Sequence, residues 1–358
     1  MKAIVLVGGE GTRLRPLTLS TPKQMLPIVG VTMIERVLGH LARHGIAEAV
    51  LSLGYLPDAF LEAYPEGSAA GVALSYAVEP EPLDTAGAVK FAAEFASVDD
   101  TFVVVNGDVL TDLDLTALIG FHRQRGAEGT IALHPVSDPS AFGVVPTDAE
   151  GRVTAFVEKP SREDAPTNLI NAGTYVLEPS MLDRIPSGRR VSIERETFPA
   201  TVRDGSLFAL ADDAYWLDTG TPTAFLQACR DLAEGLRKQV PTPGAHQTPD
   251  GWWAVGEPVV AGTVSGPSVI MDGCVIAAGA RIDNSVLGRG CVVDAGATVT
   301  DAVLLDGARV ATGSSVTKSI LGPGAIVGER CEIRPISVLG DGAMVPSGSL
   351  VDGERFPS

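Results

Sequence analysis

The sequence predicts an α/β domain built on a mixed, mostly parallel sheet, followed by a parallel β-helix. Two observations carry this reading. Up to about residue 238, short apolar runs alternate with stretches that have apolar residues at helical spacing. Such alternation builds parallel sheets covered by helices. From Ser268 the chain repeats itself in five units of 17 residues, with one extra residue, Ile336, between the fourth and fifth. A fixed period with β-branched columns and turn glycines implies stacked coils, each burying its face against the next. The 358 residues are enough for two domains, each with its own core.

The strand candidates of the first domain are Ala3–Val7, Ala49–Leu53, Thr101–Val105, Thr130–Pro135, Thr154–Glu158 and Thr174–Leu177. Met33–His44 reads as a helix, with Ile34, Val37, Leu38 and Leu41 on one face. Thr223–Val240 reads as another, with Phe225, Leu226, Cys229, Leu232 and Leu236 at helical spacing. Pro and Gly then crowd into 241–258, which marks a linker, although Trp252 and Trp253 imply that part of it packs down. The expected division is a first domain over 1–240, a linker over 241–260 and a β-helix over 261–358. In the repeats, Ile276, Val293, Val310, Val327 and Val345 form one apolar column. Ile282, Val299, Val316, Ile333 and Val351 form a second, and Gly273, Gly290, Gly307, Gly324 and Gly342 mark a turn in every unit.

Composition narrows the partners. A net charge of −17 argues against nucleic acid and anionic membrane surfaces. An anionic substrate must then be drawn in by local cations and metal. No run approaches the roughly 20 apolar residues of a membrane span. The chain enters a strand at once, so no signal peptide is expected and the reading is cytoplasmic. Cys229, Cys274, Cys291 and Cys331 form no C-x-x-C and read as reduced, mostly buried thiols.

The stretch from Val7 to Pro27, VGGEGTRLRPLTLSTPKQMLP, carries the most chemistry. It follows the first strand. Gly8, Gly9 and Gly11 let the backbone approach a ligand and point N–H groups at it. Arg13, Arg15 and Lys23 add three cations. A glycine-rich turn with fixed cations suits a polyphosphate. The spacing matches neither the dinucleotide fingerprint nor the P-loop. Two acids stand at strand ends, where open α/β sheets bind ligands. Asp108 closes Asn106-Gly107-Asp108, and Asp218 follows Tyr215-Trp216-Leu217. Each could be a turn former, but two carboxylates with substrate phosphates suit Mg²⁺.

The string G-G-x-G-T-R-L-x-P-L-T followed by P-K-x-x-L-P resembles the sugar-1-phosphate nucleotidyltransferases. Within that family the chain is most similar to the mannose-1-phosphate guanylyltransferases, over nearly its whole length. The segments that carry the similarity include DTAGAV (84–89), PSAFGVV (139–145), INAG (170–173), VSIERETFP (191–199) and YWLDTGTP (215–222). The resemblance implies a Rossmann-like nucleotidyltransferase domain and a left-handed β-helix of hexapeptide repeats. That handedness comes from the resemblance, since the usual crossover rule favours the other. It also implies catalysis by Arg13, Lys23, Asp108 and Asp218, with Asp108 and Asp218 as the Mg²⁺ ligands. The nucleotide would lie against Leu6, Gly8, Gly9, Gly11, Thr12, Arg13, Glu79, Asp84, Thr85 and Gly107. The sugar phosphate would meet Gly143, Glu158, Lys159 and Asn171. Arg15 braces the loop or binds phosphate.

The implied substrates are an NTP, with GTP favoured, and a sugar-1-phosphate, most simply mannose-1-phosphate. Two departures bear on the base. Asp84 stands where the family usually has Gly, and Gln24-Met25-Leu26-Pro27 resembles the thymidylyl- and uridylyltransferase relatives. Glucose-1-phosphate or a cyclitol phosphate with GTP, dTTP or UTP stays open. A histidine-dependent acyltransferase fits poorly, because all five histidines precede the repeats. A regulatory paralogue should have lost the loop cations or strand-end acids, and these are present. The flat sides and open end of a β-helix imply a homo-oligomer built through residues 260–358.

Overall fold

A computed structural model describes residues 1–237 and 240–357. The strands of its main sheet are β1 (Ala3–Leu6), β2 (Glu48–Leu53), β3 (Ser68–Ala69), β4 (Val72–Val78) and β5 (Phe102–Asn106). They continue with β6 (Gly129–Pro135), β7 (Gly143–Val144), β8 (Val157–Glu158), β9 (Leu169–Leu177) and β10 (Leu207–Ala211). The order is β8-β7-β9-β5-β1-β2-β4-β3, with β6 pairing β9 and β10. The centre, β5-β1-β2-β4, is parallel. Its strands are near-continuous apolar runs because helices cover such sheets on both faces. Ala3, Ile4 and Val5 of β1 and Phe102, Val103 and Val104 of β5 have no exposed surface. The longer helices are α1 (Met33–Arg43), α2 (Asp84–Phe95), α3 (Leu115–Arg125) and α4 (Pro222–Ala233). From α2, Ala86, Val89, Ala92 and Ala93 join Ile4, Val50, Val104, Tyr175 and Phe198 in one core.

The repeats form three stacked parallel sheets. One runs through Val269–Ile270, Val286–Leu287, Val303–Leu304, Ile320–Leu321 and Val338–Leu339. Partners are 17 residues apart, as in Val286↔Val303, until Ile320↔Val338 spans the longer unit. There Ile336 takes a left-handed φ of 66° at the corner. Both apolar columns lie in the interior, where Ile276, Val293, Val310, Ile282, Val299 and Val316 are buried. All four cysteines are buried thiols. Cys274 and Cys291 stack in adjacent coils, and the Cys274 sulfur, together with burial, pushes the Cys291 thiol up.

Several boundaries differ from the sequence reading. The helix expected over 223–240 ends at Ala233, because Gly235 takes a φ of 74° and turns the chain. Residues 238 and 239 of that expectation lie outside the described residues. The strand expected from Thr154 shortens to Val157–Glu158, and the one expected from Thr174 begins at Leu169. The stretch expected as linker contains Ala245–Gln247 and Trp253–Val255, which pair with each other and join the first stacked sheet. Trp253 Nε1 also donates to the Ala233 carbonyl at 2.9 Å.

Contacts divide the chain into two compact units that do not follow chain order. One holds Met1–Gly9 and Ile34–Trp216. The other holds Glu10–Met33 together with the chain from Leu217 onward, so the cation-bearing loop belongs with the repeats.

Candidate active site

In the first unit, the candidate residues gather at the carboxyl edge of the parallel strands. The Val7 N–H donates to the Ser52 carbonyl at 3.1 Å, and the Gly107 N–H donates to the Leu6 carbonyl at 2.9 Å. These bonds carry the ladder past the strand ends and fix the Gly8-Gly9 turn and the half-buried Asp108. Glycine at 107 is required: a Cβ there would lie 2.5 Å from Val7 Cγ1 and 3.0 Å from the Leu6 oxygen. Glu79 follows β4. Its carboxylate accepts from Ser52 Oγ and from the Leu83 N–H, both at 3.0 Å. A Cβ on Gly8 would lie 3.4 Å from Glu79 Oε1. Gly54 completes this corner, since a Cβ there would sit 3.1 Å from the Gly8 oxygen. The sequence reading missed Gly54; its only signal is its place one residue after an apolar strand.

Asp84 opens α2 with a φ of 62°. That region favours Gly, which accounts for the family pattern, and Asp is among the residues that tolerate it. The exposed Asp84 carboxylate accepts from the Thr85 N–H at 2.8 Å. The Thr85 hydroxyl donates to Glu194 Oε2 and accepts from the Ile193 N–H, both at 2.8 Å. Both side chains are therefore engaged by neighbouring protein groups.

The residues singled out for a sugar phosphate sit on three adjacent strands. Gly143 on β7 lies opposite Glu158 on β8, and Val144 lies opposite Ile170 on β9, next to Asn171. A Cβ at 143 would meet the Phe156 ring at 2.7 Å and Glu158 Oε2 at 3.0 Å. The Lys159 N–H donates to the Phe142 carbonyl at 3.0 Å. Lys159 Nζ lies 3.5 Å from Glu158 Oε1, with the lysine 59% exposed and the glutamate 25%. Its ammonium is thus available to an anion while Glu158 holds its direction. Asn171 Nδ2 donates to the Tyr175 hydroxyl at 2.9 Å, and its Oδ1 accepts from the Gly173 N–H at 2.9 Å. These bonds close a bulge in β9 between Asn171 and Tyr175. Burial pushes the Tyr175 phenol far up, so it stays protonated. Asn106 and Trp216 belong here too, and neither was singled out. A Cβ on Gly173 would lie 2.6 Å from Asn106 Nδ2. Trp216 Nε1 donates to the Ala172 carbonyl at 2.9 Å, and its ring stacks on His134 at 5.5 Å.

In the second unit, the cation-bearing loop consists of three short 3₁₀ turns, Thr12–Leu14, Leu17–Leu19 and Lys23–Met25. Gly11 precedes the first with a φ of 62°, and a Cβ on it would lie 3.0 Å from Lys23 Cβ. Thr18 Oγ1 donates to the Gly11 carbonyl at 2.9 Å. Gly11, Thr18 and Lys23 are therefore one packed cluster. Thr12 and Arg13 are exposed. A Cβ on Gly220 would lie 2.6 Å from Arg13 Nη2 and 2.9 Å from Asp218 Oδ1, which accepts from the Gly220 N–H at 2.8 Å. Arg13 and Asp218 thus share the corner beside Gly220. Arg15 pairs with Glu10 at 2.8 Å, a brace within the loop. Among the described residues, no group of three or more His, Cys, Asp or Glu is placed to hold a metal ion.

The family model for nucleotidyl transferases matches residues 2–235. The chain belongs to that family. A second model, the LbH domain of the EIF2B epsilon subunit, matches residues 260–351, and the stacked coils are a left-handed β-helix. The chain is 44% identical over 293 residues to a mannose-1-phosphate guanylyltransferase of Mycobacterium tuberculosis, covering 78% of this chain and 81% of that protein. It is 34% identical over 317 residues to a UTP–glucose-1-phosphate uridylyltransferase of Synechocystis, covering 79% and 82%. Among solved structures it is similar to HddC from Yersinia pseudotuberculosis complexed with GMP-PN. There the identity is 29% and the TM-score 0.56, over 64% of this chain and 98% of that one. The chain is an enzyme that condenses an NTP with a sugar-1-phosphate. No helix among the described residues is long and apolar enough to cross a membrane.

Proposed function

We propose that the enzyme makes GDP-mannose and pyrophosphate from GTP and mannose-1-phosphate. The high identity to a guanylyltransferase over four fifths of its length supports this choice. The observation that carries the site reading is the strip Gly143–Glu158–Lys159–Asn171, four candidates brought together by strand register. In this reading, an oxygen of the sugar phosphate attacks the α-phosphorus of GTP in line. The new O–P bond forms as the α–β bridge breaks, and the electron pair leaves on pyrophosphate. Positioning and charge stabilisation supply the rate. Lys159 anchors the attacking phosphate and Glu158 accepts sugar hydroxyls. Arg13 and the loop N–H groups meet the leaving pyrophosphate, and Lys23 neutralises charge near the α-phosphate.

Asp108 and Asp218 would hold Mg²⁺. Both are half-buried carboxylates, and two hard oxygen donors fit an ion whose remaining places go to phosphate and water. When bound, the ion neutralises phosphate charge. The base and sugar are tested by running five NTPs against mannose-1-phosphate, glucose-1-phosphate and a cyclitol phosphate. GTP with mannose-1-phosphate should give the highest kcat/KM. A higher value with UTP or dTTP would move the assignment to the uridylyl or thymidylyl relatives.

The enzyme is further read as a cytoplasmic homo-oligomer assembled through the β-helix. Val259, Val275, Ile326 and Met344 are exposed and lie in one register row, interrupted by Arg309. An exposed apolar stripe of this kind supports an interface. Light scattering of Ile326→Lys with Met344→Lys should report a smaller assembly than the parent chain; an unchanged mass rejects this face.

A further inference from the structure

We propose that one column of the β-helix positions the triphosphate-binding loop, with Gly340 and Met271 as its positioning residues. The proposal rests on the reading of Arg13 and Lys23 as nucleotide-binding. The column is the fourth place of each repeat: Met271, Gly288, Leu305, Gly322 and Gly340. All five are buried. Two of them meet the segment that carries the cations. A Cβ on Gly30 would lie 2.5 Å from Met271 Cε, so the first coil reaches the tight ribbon Pro27–Ile28/Val31–Thr32. A Cβ on Gly340 would lie 3.0 Å from Pro16 Cγ and 3.1 Å from Pro16 Cβ, so the last coil seats the Pro16 ring. Beside it, Ser20 Oγ donates to Asp341 Oδ2 at 2.6 Å.

At the two ends of the column residue size follows these contacts, whereas a Cβ on Gly288 or Gly322 would meet the next coil instead. Leu305 and Met271 show that a coil accepts a large buried side chain at this place. Gly340 is also absent from the positions with left-handed φ, so its own backbone does not demand glycine. Pro16 does. A flexible methionine fills the gap where the loop offers a glycine, and a glycine makes room where the loop offers a rigid ring. The loop needs such support. Its 3₁₀ turns are too short to hold themselves, and charge stabilisation requires donors fixed before the substrate arrives. The segment held at Pro16 and Gly30 contains Lys23, and Arg13 lies three residues before Pro16.

The test places leucine, the residue of the 302–318 coil, at position 340. Gly340→Leu should raise the KM for NTP and lower kcat/KM by about tenfold or more, with the sugar-phosphate KM held within about twofold, as a displaced positioning element does. Pro16→Ala should restore much of the loss in the double variant by vacating the ring. Gly340→Ala is the milder form should the leucine variant fold poorly, and should shift the same parameter less. Asp341→Asn, which keeps an acceptor for Ser20, should behave as the parent. Amide hydrogen exchange gives a readout independent of turnover: residues 10–26 should exchange faster in Gly340→Leu, and residues 102–108 should not. Unchanged NTP parameters and unchanged exchange in a folded Gly340→Leu would overturn the proposal. So would equal damage to both substrates with no rescue by Pro16→Ala. If the parent releases no pyrophosphate with any NTP and sugar phosphate, the functional reading fails, and the exchange experiment still decides whether the column braces the loop.

Discussion

Gly143, Glu158 and Asn171 hang on backbone ladders, whereas Arg13 and Lys23 sit on turns held by side-chain packing. The two sets differ in how their positions are encoded. A ladder fixes its residues through backbone hydrogen bonds that form whatever the side chain, so it tolerates change in its surroundings. A packed loop depends on the shapes of particular neighbours. The lesson is that the loop cations are the more exposed to distant substitutions, and the strand residues to substitutions within their own ladder.

The largest effect should come from the two carboxylates. Asp108→Asn and Asp218→Asn should each lower kcat by roughly 10²-fold or more, the scale of losing a preorganised charge. EDTA should abolish turnover in the parent, and Mg²⁺ should restore it. Near-parental rates in both variants would overturn the proposed metal role of the two carboxylates.

Gly107→Ala probes the ladder side through packing. The added Cβ meets a stiff valine at 2.5 Å and a backbone oxygen at 3.0 Å, so the strand end must shift. A loss of about 1–3 kcal/mol is expected on the overpacking scale. Chemical denaturation checks it, and unaltered stability would mean that the strand end yields easily.

Glu128 serves as a control away from either substrate set. Arg184 donates to both its oxygens at 2.6 and 2.7 Å, and Ser206 Oγ donates at 2.7 Å. The hydrogen bonds from Arg184 hold its carboxyl below the ordinary value of 4.5. A depressed folded value adds stability above the ordinary value, and that stability is lost as pH falls through the folded value. Glu128→Gln should cost about 1–2 kcal/mol near neutrality and flatten the acid limb of the stability curve, leaving both KM values unmoved. A parental acid limb would contradict the assignment.

The smallest effect is expected at Asp84. Its carboxylate is exposed and faces the Thr85 N–H, so it should not read the base. Asp84→Gly should leave the GTP/UTP ratio within about twofold, since a base-reading group would shift it by far more. A larger change would give Asp84 a role that its position does not show.

Both halves of the fold were legible because their signals are periodic: the buried strand runs and the 17-residue repeat each restate one physical rule many times. The loop motif was legible because its glycines and cations are contiguous. What the sequence hid depends on contacts between distant residues. Gly54 and Asn106 join the candidate site only because the sheet order brings their strand ends to it, and Trp216 because its indole donates to the Ala172 carbonyl. Gly340 gains its meaning only from Pro16 packed against it. Boundaries failed where one backbone angle decided them. Gly235 ends α4 early, and the bulge at Gly173 splits a strand whose upstream half, Leu169–Asn171, carries one of the sugar candidates.

The central claim is that two separately supported cation sets serve two substrates. Calorimetric titration of GTP and mannose-1-phosphate into Lys159→Ala and Arg13→Ala tests it most directly. Lys159→Ala should weaken sugar-phosphate binding by about tenfold or more while GTP affinity stays within about twofold, because a charge-assisted contact serves one ligand only. Arg13→Ala should show its loss on the GTP side and in kcat. Loss of GTP binding in Lys159→Ala, with mannose-1-phosphate binding intact, would contradict the account.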